Sequence, residues 1–263
     1  MDLQLEGETA IVTASSSGLG KASAEALARE GANVVVCSRS RERIEAAAED
    51  IREEAAEGAE VMPIEADITD HDDVVALVEA TVEAYGGLDH LVTSAGGPPS
   101  GPVLDTPEEE WYESYDLLVM SVVRAARAAY PHLADSDAGT ITCITSTSVA
   151  EPIEGLVLSN SVRRAVIGFV KTVAREWAPD VRANAVLPGA HETPRVSDLI
   201  EQSLERGEYE DYEEGLQDWA ADIPMDRIGD PQELGDTVAF LTSERAGFVN
   251  GVSLPVDGGR LHG

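Results

Sequence analysis

The stretch Thr13-Ala14-Ser15-Ser16-Ser17-Gly18-Leu19-Gly20 places small and hydroxyl-bearing residues between an apolar run and a helical pattern. Small residues let a backbone approach a ligand closely. A helix that begins there presents unpaired N–H groups and the positive end of its dipole. That is chemistry for holding a pyrophosphate, although such a turn is a weak signal taken alone. Asp67-Ile68 adds a carboxylate at the end of another apolar run, suited to accept from an adenine amino group. Arg39, between Ser38 and Ser40, can make a forked contact to a phosphate with a neighbouring hydroxyl in support. The plain alternative is a surface arginine at a helix start, close to Arg41 and Arg43.

These residues need a scaffold, and the chain supplies an alternating one. Short apolar, β-branched runs at Thr9–Thr13, Asn33–Cys37, Glu60–Ile64, His90–Thr93, Thr140–Ile144, Ala183–Leu187 and Ser253–Val256 predict seven strands. Helical patterns lie between them at roughly 19–30, 41–56, 70–85, 107–133, 155–178 and 231–243. Nearly continuous apolar strands joined by helices predict a doubly wound α/β fold, a mostly parallel sheet covered on both faces. Ligands of such sheets bind at the carboxyl ends of the strands. Residues 190–225 break the alternation, with Thr193-Pro194, a charged helix-like run and Tyr209, Tyr212 and Trp219. A long excursion at that edge reads as a lid over a substrate site, or as a helical hairpin that its aromatics anchor.

The bulk numbers restrict the class. A chain of 263 residues without internal repeats suits one domain over 1–263. The apolar run Leu117–Val123 is too short to span a bilayer, and the first residues lack the pattern of a signal peptide. No membrane partner is expected, and the cytoplasm is the expected location. Cys37 and Cys143 each sit in an apolar run and read as core residues rather than a disulfide or a metal pair. No metal site is expected. The net charge is −32, and Lys21 and Lys171 are the only lysines. Acids recur on every predicted helix, from Glu42 to Glu57 and again from Glu208 to Glu214. That spread describes a solvated acidic shell of the kind found where internal salt is molar. The rival reading, a mimic of nucleic acid, needs the acid on one face. Binding to nucleic acid is disfavoured either way.

Further segments follow in order: Ser94-Ala95-Gly96, then Asn184-Ala185-Val186-Leu187-Pro188-Gly189 with Thr193, then Gly229-Asp230-Pro231-Gln232-Glu233, Asn250-Gly251 and Val256-Asp257-Gly258-Gly259. With the turn at 13–20 they resemble the short-chain dehydrogenase/reductase family over almost the whole chain, and its 3-oxoacyl-carrier-protein-reductase-like members in particular. The resemblance implies a Rossmann-type fold, a nicotinamide cofactor, a small-molecule substrate and a homotetramer or homodimer. It implies cofactor contacts from Thr13, Ser15, Ser16, Ser17, Gly18, Leu19, Gly20, Ser38, Arg39, Asp67, Ile68, Ser94, Ala95, Gly96, Arg163, Pro188, Gly189 and Thr193. Ala14 stands where the family has glycine. NAD enzymes place an acid after the second strand for the ribose hydroxyls. Ser38-Arg39-Ser40 has none, which favours NADP(H) over NAD(H).

The same resemblance sets the candidate catalytic residues. Ser146 matches the family serine after the fifth strand. The family's Tyr-x-x-x-Lys falls on Ser159 and Arg163, and the family asparagine on Leu118. In family enzymes the tyrosine protonates the carbonyl oxygen, while the lysine lowers its pKa and holds the nicotinamide ribose. Here Ser146 and Ser159 can hydrogen-bond a carbonyl oxygen, and Arg163 can hold ribose hydroxyls or stabilise an alkoxide. None of the three readily gives up a proton near neutral pH. His191 has a suitable pKa range for a substitute donor, although it reads more simply as an exposed loop histidine; Tyr209 and Tyr212 are further candidates. The expectation is an NADP(H)-dependent oxidoreductase acting on a carbonyl or alcohol. The alternative is a protein that binds the cofactor without turnover. Stability is expected to rise with salt, because the acidic shell repels itself in dilute buffer and is screened at ~1 M, where the Debye length is ~3 Å. Thermal midpoints measured from dilute to molar KCl test this; a flat profile refutes it.

Overall fold

The computed structural model describes residues 1–262, apart from the side chains of residues 195 and 202. Seven strands and their helices run in the order β1 (Thr9–Val12), α1 (Gly18–Arg29), β2 (Asn33–Ser38), α2 (Arg41–Glu54), β3 (Val61–Glu65), α3 (His71–Tyr85), β4 (His90–Thr93), α4 (Glu108–Tyr115), α5 (Ser121–Leu133), β5 (Thr140–Ile144), α6 (Val157–Glu176), β6 (Arg182–Pro188), α7 (Pro194–Glu205), α8 (Tyr212–Ala220), α9 (Pro231–Thr242) and β7 (Ser253–Val256). The sheet order is β3-β2-β1-β4-β5-β6-β7 and every pairing is parallel. Strand order reverses between β1 and β4, so the connections after those two strands diverge and leave a crevice at their carboxyl ends. The predicted strands are all present, with ends moved by one or two residues. Thr13 falls outside β1, Ser38 joins β2, and β6 gains Arg182 and Pro188.

The sheet is buried on both faces, as its unbroken apolar strands require. Residues such as Leu77, Leu91, Val122, Ile141 and Val170 form one core with α3, α5 and α6. Leu27, Val34, Ile51, Val186 and Leu234 form the other with α1, α2 and α9. Each such side chain contributes about 1.5–3 kcal/mol on burial. Cys37 and Cys143 are buried free thiols, and loss of solvent pushes both up to about 11. Helix starts are local chemistry. Asp70 accepts from the Asp72 and Asp73 amides, and Asp230 with Glu233 closes a capping box over Pro231. A Cβ on Gly235 would lie 2.4 Å from the Ala22 carbonyl oxygen, so α1 and α9 meet backbone to backbone.

Two regions depart from expectation. The pattern at 107–133 is not one helix, because a π-helical segment, Asp116–Met120, separates α4 from α5. The inserted residue shifts the register so that Leu118 and Val119 both face the core. The Ser121 hydroxyl donates to the Leu117 carbonyl at 2.5 Å, and Arg124 Nη2 pairs with Asp116 Oδ1 at 2.6 Å. The excursion at 190–225 folds into α7 and α8 around Val196, Ile200, Ile223 and Ile228, and Tyr209, Tyr212 and Trp219 pack against that cluster. Among the described residues no helix is long and apolar enough to cross a membrane.

The turn between β1 and α1 tolerates no added carbon at its end. A Cβ on Gly20 would lie 2.6 Å from the Ala14 carbonyl oxygen and 3.2 Å from the Ser15 Cα. Gly20→Ala is expected to cost about 1–3 kcal/mol and lower the thermal midpoint by roughly 2–10 °C. Calorimetry in molar salt reads this directly, and an unchanged midpoint contradicts the packing.

Candidate active site

Two cavities lie side by side above the carboxyl ends of the strands. The first, about 510 Å³, runs from Ser38, Arg39 and Asp67 across Ser16, Ser17, Gly18, Leu19 and Gly20 to Ser94, Ala95, Gly96 and Arg163, with Ile68 and Thr193 also on its wall. Ser17 at the head of α1 makes no side-chain cap, which leaves the first-turn amides for a ligand. Asp67 Oδ1 accepts from the Thr69 amide at 2.9 Å and its hydroxyl at 2.7 Å. Burial pushes this carboxyl up, but those hydrogen bonds and the charge of Arg39 outweigh it and hold it below the usual range. An ionised acceptor thus stands at the end where an adenine would lie. Gly96 has φ +67° and open space where a Cβ would be.

The residues that shape this cavity from behind do different work. Thr13 does not line it; its hydroxyl donates to the Ser94 carbonyl at 2.7 Å and accepts from the Ser94 amide at 2.9 Å, which ties the end of β1 to the end of β4. Ser15 is fully buried, donates to the Val12 carbonyl at 2.7 Å and accepts from the Cys37 amide at 3.1 Å. Both were expected as ligand contacts, and both side chains instead brace the turn. Ala14 lines the cavity with φ +47°, a left-handed conformation that glycine adopts freely and alanine does not.

The second cavity, about 540 Å³, is lined by Ser146, Ser159, Pro188, Gly189 and His191, by Gly97, Pro98 and Ser100 of the loop after β4, and by Trp219 of α8. Leu19, Gly97, Thr145, Arg163 and Thr193 line both cavities, so the two meet there. Pro188 and Gly189, expected on the cofactor, line only this second cavity. A Cβ on Gly189 would lie 2.8 Å from the Asp257 Cβ, which explains glycine after β6. Ser146 caps the short turn Thr147–Val149 by accepting from the Ser148 amide at 3.1 Å. The Ser148 and Ser159 hydroxyls share a hydrogen bond at 3.0 Å, so Ser148 bonds Ser146 through its amide and Ser159 through its hydroxyl. Ser159 is 7% exposed. Arg163, one turn further along α6, donates through Nη2 to the Gly96 carbonyl. Asn160 clasps the loop before α6, accepting from the Ile153 amide at 3.1 Å and donating to its carbonyl at 2.8 Å.

The substitute donors fare unequally. His191 is not an exposed loop residue, since it is 4% exposed and its ring packs where a Cβ on Gly229 would come within 2.7 Å of Cδ2. Burial pushes its pKa below the ordinary value, so the ring is neutral at neutral pH. The Tyr209 hydroxyl donates to Asp218 at 2.8 Å, and that of Tyr212 donates to Glu192 and Ser197; neither tyrosine lines either cavity. Leu118, at the asparagine position, is buried in the core beneath. Sequence reasoning missed Arg43 on the first cavity and Glu154, Asp218, Asp222 and Arg260 on the second. Of these only Arg43 had a signal, its place four residues past Arg39. The acids were hidden among the many on the surface.

Comparison with known proteins agrees with this architecture. A family model described as enoyl-acyl-carrier-protein reductase matches residues 13–260. The 3-oxoacyl-acyl-carrier-protein reductase of Thermotoga maritima is 30% identical over 258 residues, covering 98% of this chain and 99% of the relative. Dehydrogenase/reductase SDR family member 4 of Bos taurus is 33% identical over 261 residues, covering 98% and 88%. The solved L-sorbose reductase of Gluconobacter frateurii, in complex with NADPH and L-sorbose, superposes with a TM-score of 0.94 at 33% identity over 100% of both chains. The chain belongs to the short-chain dehydrogenase/reductase family and is an oxidoreductase of the kind that uses a nicotinamide cofactor on CH–OH or C=O groups.

Proposed function

We propose that this chain is an NADP(H)-dependent oxidoreductase for small polar carbonyl compounds or the matching alcohols. The single observation behind the reading is the junction of the two cavities at Thr145 and Arg163. A bound nicotinamide supplies hydride transfer to or from carbon there. Ser146 and the Ser148–Ser159 pair offer hydroxyls to the substrate oxygen, and Arg163 offers fixed positive charge to an alkoxide. What is absent is the tyrosine that donates the proton in family enzymes. The proton at oxygen must come from water or from a weakly acidic hydroxyl, and losing a positioned acid typically forfeits ~10²–10⁴ in rate. Turnover is therefore slow on simple carbonyls.

The substrate wall mixes Ser100, Ser146, Thr147 and Ser159 with the carboxylates of Glu154, Asp218 and Asp222. Such a wall suits a neutral polyhydroxylated compound better than an anionic carrier arm, and the L-sorbose complex of a 33% identical relative points the same way. Residues 1–263 act as one domain with 190–225 as its lid, assembled as a homotetramer or homodimer in a cytoplasm of high salt. The second reading, a cofactor-binding protein without turnover, is favoured by the Ser159 hydroxyl, which is tied to Ser148 where the family has a phenol. A screen of NADPH oxidation against sugars, aldehydes and β-keto thioesters in molar KCl decides between them. Tight NADPH binding with no oxidation of any substrate selects the second.

Arg39 carries the cofactor preference in this reading. NADPH is expected to bind more tightly than NADH, and Arg39→Asp to erase or reverse the difference at a cost of about 1.5–3 kcal/mol to NADPH. Equal affinities in the parent protein sink the assignment.

The pair Ser159→Tyr and Arg163→Lys is expected to raise NADPH-dependent reduction of a generic carbonyl by ~10-fold or more. The cavity above Ser159 has room for the ring, and the two sites should couple. Should the parent turn over briskly and Ser159→Ala leave that rate intact, Ser159 has no part in the chemistry.

A further inference from the structure

Arg260, from the tail after β7, lines the second cavity together with Glu154, Asp218 and Asp222. Its side chain makes no hydrogen bond or ion pair with another described residue, in a chain with 50 acids and 18 lysines and arginines. The other arginine on this wall, Arg163, donates to the Gly96 carbonyl. The tail is fixed on both sides of Arg260. Asp257 accepts from the Gly259 amide through Oδ1 and from the Leu261 amide through Oδ2, each at 2.9 Å. Glu151 Oε1 accepts from the His262 amide at 3.0 Å. Gly258, at φ +64°, passes so close to the end of the 190–225 segment that a Cβ there would lie 2.5 Å from Ile223 Cγ2. A Cβ on Gly259 would touch Pro224 Cγ at 3.5 Å. The tail thus lies against the residues that follow Asp222 and sets Arg260 on the same wall as the acids. Arg260 does not line the first cavity, so it meets substrate atoms other than those at the junction.

We infer that Arg260 is a specificity-determining residue that donates to hydroxyl oxygens of a polyhydroxylated ketone or its alcohol, while Asp218 and Asp222 accept from the hydroxyls of the same substrate. The inference rests on the function proposed above and deepens it by naming the groups that choose the substrate. A guanidinium only donates and a carboxylate only accepts, whereas a hydroxyl does both. A wall that carries both kinds without pairing them is matched on both counts by a row of hydroxyls. A carboxylate arm on the substrate would meet Arg260 but also three acids. An ammonium arm would meet the acids but also Arg260. Screening at molar salt, where the Debye length is ~3 Å, removes the long-range field and leaves these contacts to discriminate. Trp219 lines the same cavity and offers apolar surface to the carbon skeleton. Arg260 acts in binding alone, so its loss raises KM and leaves kcat nearly in place.

The test compares three ketones of six carbons: L-sorbose, 2-hexanone and the anion 5-oxohexanoate. Each is titrated calorimetrically in molar KCl into protein saturated with NADP+, or with NAD+ if that binds more tightly. An oxidised cofactor and a ketone cannot react, so binding is read apart from turnover. The parent is expected to bind L-sorbose more tightly than the other two. Arg260→Met is expected to weaken L-sorbose by ~10-fold while 2-hexanone stays within about twofold, the scale of one charge-assisted contact. Arg260→Lys, which keeps the charge and loses the fork, should fall between parent and Arg260→Met. Retained cofactor affinity reports that each variant is folded. An unchanged L-sorbose affinity in Arg260→Met overturns the inference, as does a parent that binds none of the three. Equal loss for L-sorbose and 2-hexanone overturns it and gives the tail a structural role. If 5-oxohexanoate binds tightest and is lost in Arg260→Met, Arg260 takes an anion and the polyhydroxylated class falls. A parent that binds neither nicotinamide cofactor removes the proposed function itself, a separate result that takes this assignment with it.

Discussion

The closeness of the turn between β1 and α1 governs the rest of the carboxyl edge. Ala14 is held at φ +47°, which costs an L-residue about 1–2 kcal/mol. Bonds on both sides over-determine it. The Thr13 amide donates to Val92 at 3.0 Å and the Ser15 amide to Cys37 at 3.0 Å, while the buried Ser15 hydroxyl links Val12 to Cys37. Strain persists where its surroundings permit no alternative. The result aims the head of α1 into the crevice made by the reversal of strand order, and the small residues of the turn leave room for the ligand that the uncapped amides would hold. Thr13 bonds both backbone groups of Ser94, so the ends of β1 and β4 are tied together beneath the cavity.

From that floor the second cavity follows by succession. Arg163 reaches from α6 to the Gly96 carbonyl and thereby joins the helix with Ser159 to the loop after β4. A serine hydroxyl sits several ångströms closer to its backbone than a phenol would. Ser159 therefore bonds Ser148 within the wall rather than extending over the nicotinamide end. Exchanging tyrosine for serine thus does two things at once: it removes an acid and it deepens the cavity. Exchanging lysine for arginine keeps the charge and adds a planar fork with further donors. The coupled pair retains polarity and charge, in keeping with a site that still binds.

How much of this was legible in the chain depends on whether the determining forces were local. Strands with apolar residues on both faces and helices with capped starts are written in short windows, and their order sufficed for the doubly wound sheet. The π-helical break at Asp116–Met120 was not legible, because it answers to tertiary packing: Leu118 and Val119 both reach the core only if the helix slips by one residue. His191 read as exposed because a lone histidine beside an acid usually is. Its burial comes from Gly229, nearly forty residues away, whose missing side chain makes the hole the ring fills. Thr13 and Ser15 invite a reading as ligand contacts through their hydroxyls, but in the folded chain those hydroxyls turn to backbone. Arg43 had a signal in its place four residues past Arg39, yet a helix-start arginine is ordinary until the cavity beside it is seen.

The acidic shell and the few internal cations then form a single electrostatic plan. Arg182 lies under the end of α9 and donates to the Leu241, Thr242 and Ser243 carbonyls at 3.0 Å and to Val249 at 3.3 Å. Its burial lowers its pKa from the usual arginine value, yet four carbonyls offset that cost, three of them at the end of α9 where the negative end of the helix dipole lies. Arg163 likewise donates to a backbone carbonyl, that of Gly96, whereas Arg124 meets the Asp116 carboxylate. An anionic cofactor approaching such a surface in molar salt feels little of the shell and meets only what lies within contact distance: amide dipoles at the head of α1 and the guanidinium groups beside it. The composition that makes the protein a polyanion therefore does not oppose an anion site. It confines that site to the crevice lined by Arg39, Arg163 and the head of α1.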